Sequence, residues 1–244
     1  TPENDKSAEY IASEFKKNNL GYCVGDSYLI PFEYKGQKGF NVCGIKKGES
    51  EKSLAYSAHF DHIGTNTKSG DNIYNGADDD ASGVATVIGL ADYFKDKKTD
   101  YSMVFMAFNA EEIGLIGSKA LADNEKLKPV FNNISALFNF EMLATESQFG
   151  KNAVFMTGDE FSDFDELINA NAVNGLKVHS DPYQGQQLFY RSDNVNFVKK
   201  KIIAHSISTV DMNKATHYHA VNDDINIVDA ENLTNIISNF AKTI

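Results

Sequence analysis

Three aspartates occur in a row at positions 78–80, within the segment NGADDDASG of residues 75–83. Because adjacent carboxylates repel one another, the fold has to compensate their charge. A solvated acidic loop would do so. A bound cation would also do so, since one carboxylate can bridge two metal ions while its neighbours orient ligands. An apolar run with helical spacing begins at Val84, so the acidic segment is expected to lead directly into a helix.

Size and charge limit the class of protein. The chain has 244 residues, of which 42% are hydrophobic, and this suits one large α/β domain with a substantial core. No apolar run approaches the roughly 20 residues of a transmembrane segment. The net charge of −11 and the lack of a basic stripe argue against a nucleic-acid partner. An acidic protein is instead suited to cationic groups such as a peptide amine.

Alternating apolar and amphipathic segments predict the fold class. Helices are expected at 7–19, 84–94, 115–122, 162–172, 194–199 and 229–244, and strands at 53–60, 101–108, 134–140, 153–156 and 201–208. This alternation indicates a mostly parallel sheet covered by helices on both faces. A hairpin formed by residues 27–34 and 39–45 would make the sheet mixed. The sequence therefore predicts a single α/β domain.

The two cysteines are expected to be free thiols. If residues 35–38 form the loop of the hairpin, Cys43 lies opposite about position 31. Cys23 would then lie too far along the chain to reach Cys43.

Six side chains with metal-binding chemistry are expected to meet at one edge of the sheet. Four follow predicted strands and two lie in loops that leave strand ends: His59, Glu111, Glu112 and Glu141, with Asp79 and His219 in the loops. In open α/β sheets, sites form at the carboxyl ends of the strands. Two histidines with several carboxylates suit zinc and similar cations.

Neighbouring residues predict distinct roles within this group. Asp61 could accept a hydrogen bond from a metal-bound His59, and His62 is expected to line the site. Glu111 and Glu112 point in different directions, so one can bind metal while the other moves a proton. The alternative for this pair is an acidic helix N-terminus. His217 is expected in a surface loop.

Six ordered segments resemble a known family: AHFDHIG, NGADDDASGV, NAEEIGLIGS, FNFEML, YRSDNVNF and HYHAVNDD. They resemble the co-catalytic di-zinc aminopeptidases, a family that includes bacterial leucyl aminopeptidases, glutamate carboxypeptidases and glutaminyl cyclases. The resemblance covers nearly the whole chain. It implies a single metallopeptidase domain over residues 1–244, with the N-terminal part of longer relatives missing.

The resemblance also implies an activity and its residues. A zinc-dependent aminopeptidase would hydrolyse N-terminal residues from peptides through a metal-bridging hydroxide, with a peptide or small aminoacyl compound as its substrate. His59 and Glu141 would bind one zinc, Glu112 and His219 the other, and Asp79 would bridge both. Glu111 would be the general base, Asp61 would orient His59, Asp223 would orient the loop of His219, and Tyr190 would steady the oxyanion. The Asp79–Asp80 peptide would be cis.

The chain departs from the family pattern at two positions. Glu141 stands where the family most often has aspartate, and Asn194 stands where histidine is common after Ser192 and Asp193. A glutaminyl cyclase-like acyltransferase, a carboxypeptidase or dipeptidase, and a non-catalytic binding relative stay open as alternatives. The family is commonly exported and the chain begins at Thr1, so a secreted or periplasmic bacterial protein is expected. The oligomeric state and the preferred N-terminal residue stay undetermined.

Overall fold

Nine strands form one mixed sheet in the computed structural model, which describes residues 1–244. The strands are β1 (Gly21–Tyr22), β2 (Leu29–Tyr34), β3 (Gln37–Lys46), β4 (Ser53–His59), β5 (Ser102–Phe108), β6 (Ile134–Phe140), β7 (Ala153–Met156), β8 (Lys177–Ser180) and β9 (Ala204–Ser208). Their order in the sheet is β1-β3-β5-β4-β6-β9-β7-β8, and β2 also pairs with β3. The four central strands, β5, β4, β6 and β9, are mutually parallel. The predicted mixed, mostly parallel centre is confirmed.

Helices cover both faces of the sheet, also as predicted. The helices are α1 (Pro2–Lys17), α2 (Gly83–Phe94), α3 (Ile116–Ala122), α4 (Lys128–Phe131), α5 (Phe164–Asn171), α6 (Asn194–Val198) and α7 (Ala230–Thr243). Buried residues of α1, α2, α5 and α7 belong to the larger apolar core, whereas those of α3, α4 and α6 belong to the core on the opposite face. No helix is both long and apolar enough to cross a membrane.

Helix α1 and strand β8 are among the elements that differ from the sequence prediction. Helix α1 starts at Pro2 rather than at residue 7, because proline suits the first helical position and the Thr1 hydroxyl accepts a hydrogen bond from the Asn4 amide. Strand β8 was not predicted, because its four residues alternate between exposed and buried positions without a continuous apolar run.

The hairpin has a tighter turn than expected. Tyr34 pairs with Gln37, so the turn consists of Lys35 and Gly36 alone. Both turn residues have positive φ, as a two-residue type I′ turn requires. The tighter turn shifts the register along β3, and the Cys43 amide therefore donates to the Tyr28 carbonyl rather than facing position 31.

The prediction of two free thiols is wrong, because Cys23 and Cys43 form a disulfide with a Cα–Cα distance of 5.7 Å. The physical reason is that β1 also pairs with β3, next to the part of β3 that pairs with β2. Gly21 lies opposite Ile45 and Tyr22 opposite Gly44, so Cys23 comes next to Cys43. Two adjacent strand pairings, not the hairpin alone, decide the distance between the sulfur atoms.

We expect reduction of this disulfide to lower the free energy of unfolding by about 3 kcal/mol, because the cross-link restricts a loop of about 20 residues in the unfolded chain. Urea denaturation of wild type with and without dithiothreitol measures the loss. The double variant Cys23→Ala/Cys43→Ala should lose at least as much, since it also removes two buried sulfur atoms. An unchanged midpoint, with both thiols shown by mass spectrometry, would contradict the expectation.

Candidate metal centre

Four of the predicted site residues lie at the carboxyl ends of three adjacent parallel strands. His59 ends β4, Glu111 and Glu112 follow β5, and Glu141 follows β6. Because β4 lies between β5 and β6, the three strand ends point into one shared space.

Asp79 lies between two groups of donor atoms. Its Oδ1 is 3.1 Å from His59 Nε2, and its Oδ2 is 3.3 Å from His219 Nε2. Glu141 Oε1 lies 3.2 Å from His59 Nε2, and Glu112 Oε2 lies 3.1 Å from His219 Nε2. Each oxygen of Asp79 therefore lies beside one imidazole nitrogen. That nitrogen is also close to a second carboxylate, from Glu141 at His59 and from Glu112 at His219.

The spacing of these donor atoms suits zinc. Ligands at 2.0–2.2 Å from a tetrahedral zinc are about 3.3 Å apart. The four contacts of 3.1–3.3 Å match that spacing, whereas ordinary charged hydrogen bonds are about 2.7–2.9 Å long. Imidazole nitrogen and carboxylate oxygen are also the donors that zinc takes besides cysteine. The residues present therefore fit zinc coordination around Asp79.

The other two aspartates of the acidic segment have structural partners. Asp78 accepts hydrogen bonds from the Ala144 amide and lies 2.8 Å from His217 Nε2. Asp80 accepts from the amides of Gly83 and Met142. Asp80 also lies near His59 and Glu141, but these backbone amides occupy its Oδ1 and the His59 amide donates to its Oδ2. The expectation of a surface loop for His217 is wrong, because its ring lies against Asp78 and the residue is only 9% exposed.

Asp223 connects the loop of His219 to the acidic segment. Its two carboxylate oxygens accept from the backbone amides of Asp78 at 2.7 Å and Asp79 at 3.0 Å. The peptide between Asp79 and Asp80 is cis, as the resemblance implied. Asp223 thus fixes the backbone that carries Asp79, in addition to lying near His219 in sequence.

Asp61 acts through two different groups. Its backbone carbonyl, not its carboxylate, lies 3.1 Å from His59 Nδ1. A proton on Nδ1 leaves Nε2 as the free lone pair that faces Asp79. The Asp61 carboxylate instead accepts from the backbone amides of Glu111 and Glu112, at 3.0 and 3.2 Å. One residue therefore orients both the histidine and the glutamate pair.

The longer side chain of Glu141 is held at its far oxygen. Oε2 accepts from Ser192 Oγ at 2.5 Å and from Asn139 Nδ2 at 3.2 Å. Oε1 stays directed at His59 Nε2. These contacts show how a glutamate takes the place of the aspartate that is usual in the resembling family.

Glu111 carries a strongly perturbed proton equilibrium at this edge of the sheet. Burial raises the pKa of Glu111 to about 10, and the charges of Glu141 and Asp193 act in the same direction against His59. Burial also raises the pKa of Asp193 to about 7. Both carboxyl groups hold protons readily, which suits Glu111 for moving a proton during a reaction.

The structure does not bring Tyr190 to the site. Its side chain is 56% exposed and does not line the cleft beside the donor atoms. A different tyrosine, Tyr218, does line that cleft. Its hydroxyl accepts a hydrogen bond from Arg191 at 3.2 Å, and its ring stacks on His219 with centroids 4.0 Å apart. The sequence signal for Tyr218 was its position directly before His219.

An open cleft of about 560 Å³ begins at Glu111, Glu112 and Glu141. Apolar side chains from several segments form its further wall: Met142, Phe155, Leu188, Val210 and Met212. Thr157, Ser206 and Ser208 add hydroxyl groups to the lining, and Arg191 is its single basic side chain apart from His219. The cleft therefore offers a mostly apolar recess next to the donor atoms.

Comparison with known families decides the membership of the chain. The model of peptidase family M28 matches residues 41–244. The chain belongs to peptidase family M28. This match covers every donor residue of the site.

Relatives of this M28 chain include several named peptidases. It is 32% identical over 138 residues to the vacuolar membrane protease of Schizosaccharomyces pombe, an alignment that covers 56% of this chain and 14% of the relative. It is 30% identical over 115 residues to aminopeptidase YwaD of Bacillus subtilis, which covers 46% of this chain and 23% of that protein. Other relatives are named probable zinc metalloproteases. The chain thus spans a quarter or less of these relatives.

A solved structure extends the likeness of fold over the full length. The glutaminyl cyclase of Bacteroides thetaiotaomicron, bound to N-acetylhistamine, matches all of this chain and 90% of its own, with a TM-score of 0.78. At 18% sequence identity, this match shows a shared fold.

Zinc binding by this M28 chain is expected to weaken as the pH falls, starting above pH 6.5. Hydrogen bonding with Asp79 raises the pKa of His219. Burial lowers the pKa of His59, but the charge of Glu141 and the hydrogen bond with Asp79 outweigh it and raise that pKa well above 6.5. Only a neutral imidazole binds metal, so zinc has to displace these protons. Chelator competition between about pH 5.5 and 8 measures the slope, and a constant affinity down to pH 6 would refute it.

Proposed function

We propose that this chain is an aminopeptidase that removes N-terminal residues from peptides with two zinc ions. The position of Asp79 between two matching donor sets carries the proposal. The membership in family M28 and the named aminopeptidase relative support it.

The residues divide into two metal positions. His59, Asp79 and Glu141 would hold one zinc, and Asp79, Glu112 and His219 would hold the other. When bound, zinc lowers the pKa of a water molecule and polarises a carbonyl group, and this is the chemistry that peptide hydrolysis needs. Hydrogen bonds from Ser192 and Asn139 would keep Glu141 directed at its metal position, in spite of its longer side chain.

Glu111 would move the proton. Asp61 accepts a hydrogen bond from the backbone amide of Glu111, and the Glu111 side chain lines the cleft. Bound cations would favour the ionised form of Glu111, which could then take a proton from the attacking water and later give it to the leaving amine. Its neighbour Glu112 faces His219, which keeps the two roles separate.

Tyr218 would stabilise the charge that develops on the scissile carbonyl oxygen. Arg191 donates to the Tyr218 oxygen, so the phenolic proton is free to point to another acceptor. Burial raises the pKa of Tyr218, and the hydroxyl therefore keeps its proton at neutral pH. A preorganised donor of this kind acts where charge appears in the transition state.

The cleft supports exopeptidase action on apolar N-terminal residues. Its recess is lined by methionine, leucine, valine and phenylalanine side chains beside the carboxylates. The carboxylates suit the positive N-terminal amine of a peptide. A carboxypeptidase would need a cation for the substrate carboxylate, and Arg191 is the single candidate of that kind in the lining. A panel of aminoacyl anilides, dipeptides and C-terminally free peptides separates these specificities.

The glutaminyl cyclase alternative shares the fold but fits the side chains less well. The site has two donor sets and the Glu111–Glu112 pair, and the chain contains no tryptophan. Cyclisation of an N-terminal glutamine without peptide hydrolysis would favour this alternative. The complete donor set also argues against a non-catalytic relative.

We also propose that the protein is exported. The Cys23–Cys43 disulfide supports this location, because disulfides persist in oxidising compartments. Thiol labelling tests this location when whole cells are denatured in the presence of the label. Both cysteines would then react in a reduced, internal protein.

We expect Glu111→Gln to lower kcat by about 10²–10⁴-fold while zinc content and melting temperature stay near wild type, because the amide cannot accept the proton. Hydrolysis of leucine p-nitroanilide and elemental analysis give the two readouts. Glu146→Gln, at an exposed carboxylate, is the control. Full activity of Glu111→Gln would remove Glu111 from the mechanism, and wild type without zinc after reconstitution would refute the proposed function.

A second pair of variants separates the two candidate tyrosines. Tyr218→Phe is expected to lower kcat by about 10²-fold with little change in zinc affinity, since it removes one donor to the developing charge. Tyr190→Phe is the matched control and is expected to retain wild-type kcat, because its hydroxyl lies outside the cleft. The opposite ranking of the two variants would restore Tyr190 as the oxyanion residue.

A further inference from the structure

His62 lies next to the second donor set and competes with His219 for the same place. Its Nδ1 is 2.7 Å from Glu112 Oε1 and 3.9 Å from Asp79 Oδ2. By proximity alone, His62, Asp79 and Glu112 could also hold a metal ion. The structure therefore has two histidines that could act as the ligand beside Glu112.

Distances distinguish the two histidines. His219 Nε2 lies 3.1 Å from Glu112 Oε2 and 3.3 Å from Asp79 Oδ2, near the spacing of about 3.3 Å for ligands of one zinc. The His62 contact of 2.7 Å has the length of a charged hydrogen bond. An ionised carboxylate can only accept, so His62 Nδ1 carries the proton and has no lone pair for a metal.

The other nitrogen of His62 makes no hydrogen bond. Nε2 is buried and has no partner, so the contact with Glu112 is the only hydrogen bond that orients the ring. The ring is packed tightly, because a Cβ atom on Gly76 would lie 2.9 Å from His62 Cγ. His62 is thus a fixed donor that faces Glu112.

We propose that His62 is the positioning residue that makes Glu112 a ligand through one oxygen only. His62 holds Oε1, and this directs Oε2 toward His219 and Asp79. Asp61 fixes the backbone amide of Glu112, so the hydrogen bond from His62 determines the remaining rotation of the carboxylate. The inference rests on the proposed two-zinc function.

The first metal position has the same arrangement with different residues. Glu141 Oε2 is held by Ser192 and Asn139, while Oε1 faces His59. In both Glu112 and Glu141, one carboxylate oxygen therefore accepts a hydrogen bond from a neighbouring side chain, and the other oxygen points to the histidine of the metal position. Ser192→Ala accordingly provides a matched variant for the other ion.

Three substitutions of His62 test the proposal. An asparagine amide nitrogen can reach the place of Nδ1, a glutamine amide reaches the place of Nε2, and leucine donates nothing. We expect His62→Leu to weaken one of the two zinc ions by about 10–100-fold, as loss of a hydrogen bond to a ligand does. His62→Asn is expected to restore most of that affinity, and His62→Gln is not. Chelator competition gives both dissociation constants, and the absorption spectrum of the cobalt-substituted protein reports the geometry.

The double variant His62→Leu/Ser192→Ala separates the two positions, because we expect it to weaken both ions whereas each single variant weakens one. Wild-type affinity for both ions in His62→Leu overturns the proposal. Complete loss of one ion in both His62→Leu and His62→Asn, as in His219→Ala, also overturns it and makes His62 a ligand. Wild type that binds fewer than two zinc ions overturns the proposed function, and this outcome is visible before any variant is compared.

Discussion

Negative charge collected at one edge of the sheet is the constraint on which the rest of the site depends. The carboxylates there are Asp61, Asp78, Asp79, Asp80, Glu111, Glu112, Glu141, Asp193 and Asp223, and most of them are buried. A buried charge without a partner costs several kcal/mol. Asp61 and Asp223 accept hydrogen bonds from backbone amides. Asp78 accepts one from the Ala144 amide and also lies against His217. Asp79, Glu112 and Glu141 face imidazoles and leave donor atoms directed at shared points, where cations would complete the compensation.

The sheet supplies the rigidity that this arrangement requires. Strand β5 is buried at every residue, and its parallel pairing with β4 continues to His59. Ligand atoms have to be placed within a few tenths of an ångström for zinc. A loop could not hold His59 and Glu141 so accurately, whereas the ends of paired strands are fixed by backbone hydrogen bonds on both sides. The parts of the site that lie outside the strands, Asp79 and the loop of His219, are tied to each other through Asp223.

Sequence patterns predicted the fold well where a local signal existed. The apolar spacing of α2 and α7 and the continuous apolar run of β5 depend on neighbouring residues alone, so their bounds were nearly correct. The disulfide was missed because it depends on two strand pairings and a two-residue turn. His217 was misplaced because its partner, Asp78, is 139 residues away in sequence.

The sequence by itself determined the chemistry of the site: two histidines and several carboxylates, placed after strands that end at one edge. The residue types and their order are properties of the chain, so no coordinates were needed to predict a zinc-type centre. The resemblance to the family already pointed to Asp79 as the bridging aspartate. Only the tertiary structure decided which tyrosine lines the cleft and which oxygen of each glutamate is free, because these choices depend on side-chain direction and on contacts between residues far apart in sequence.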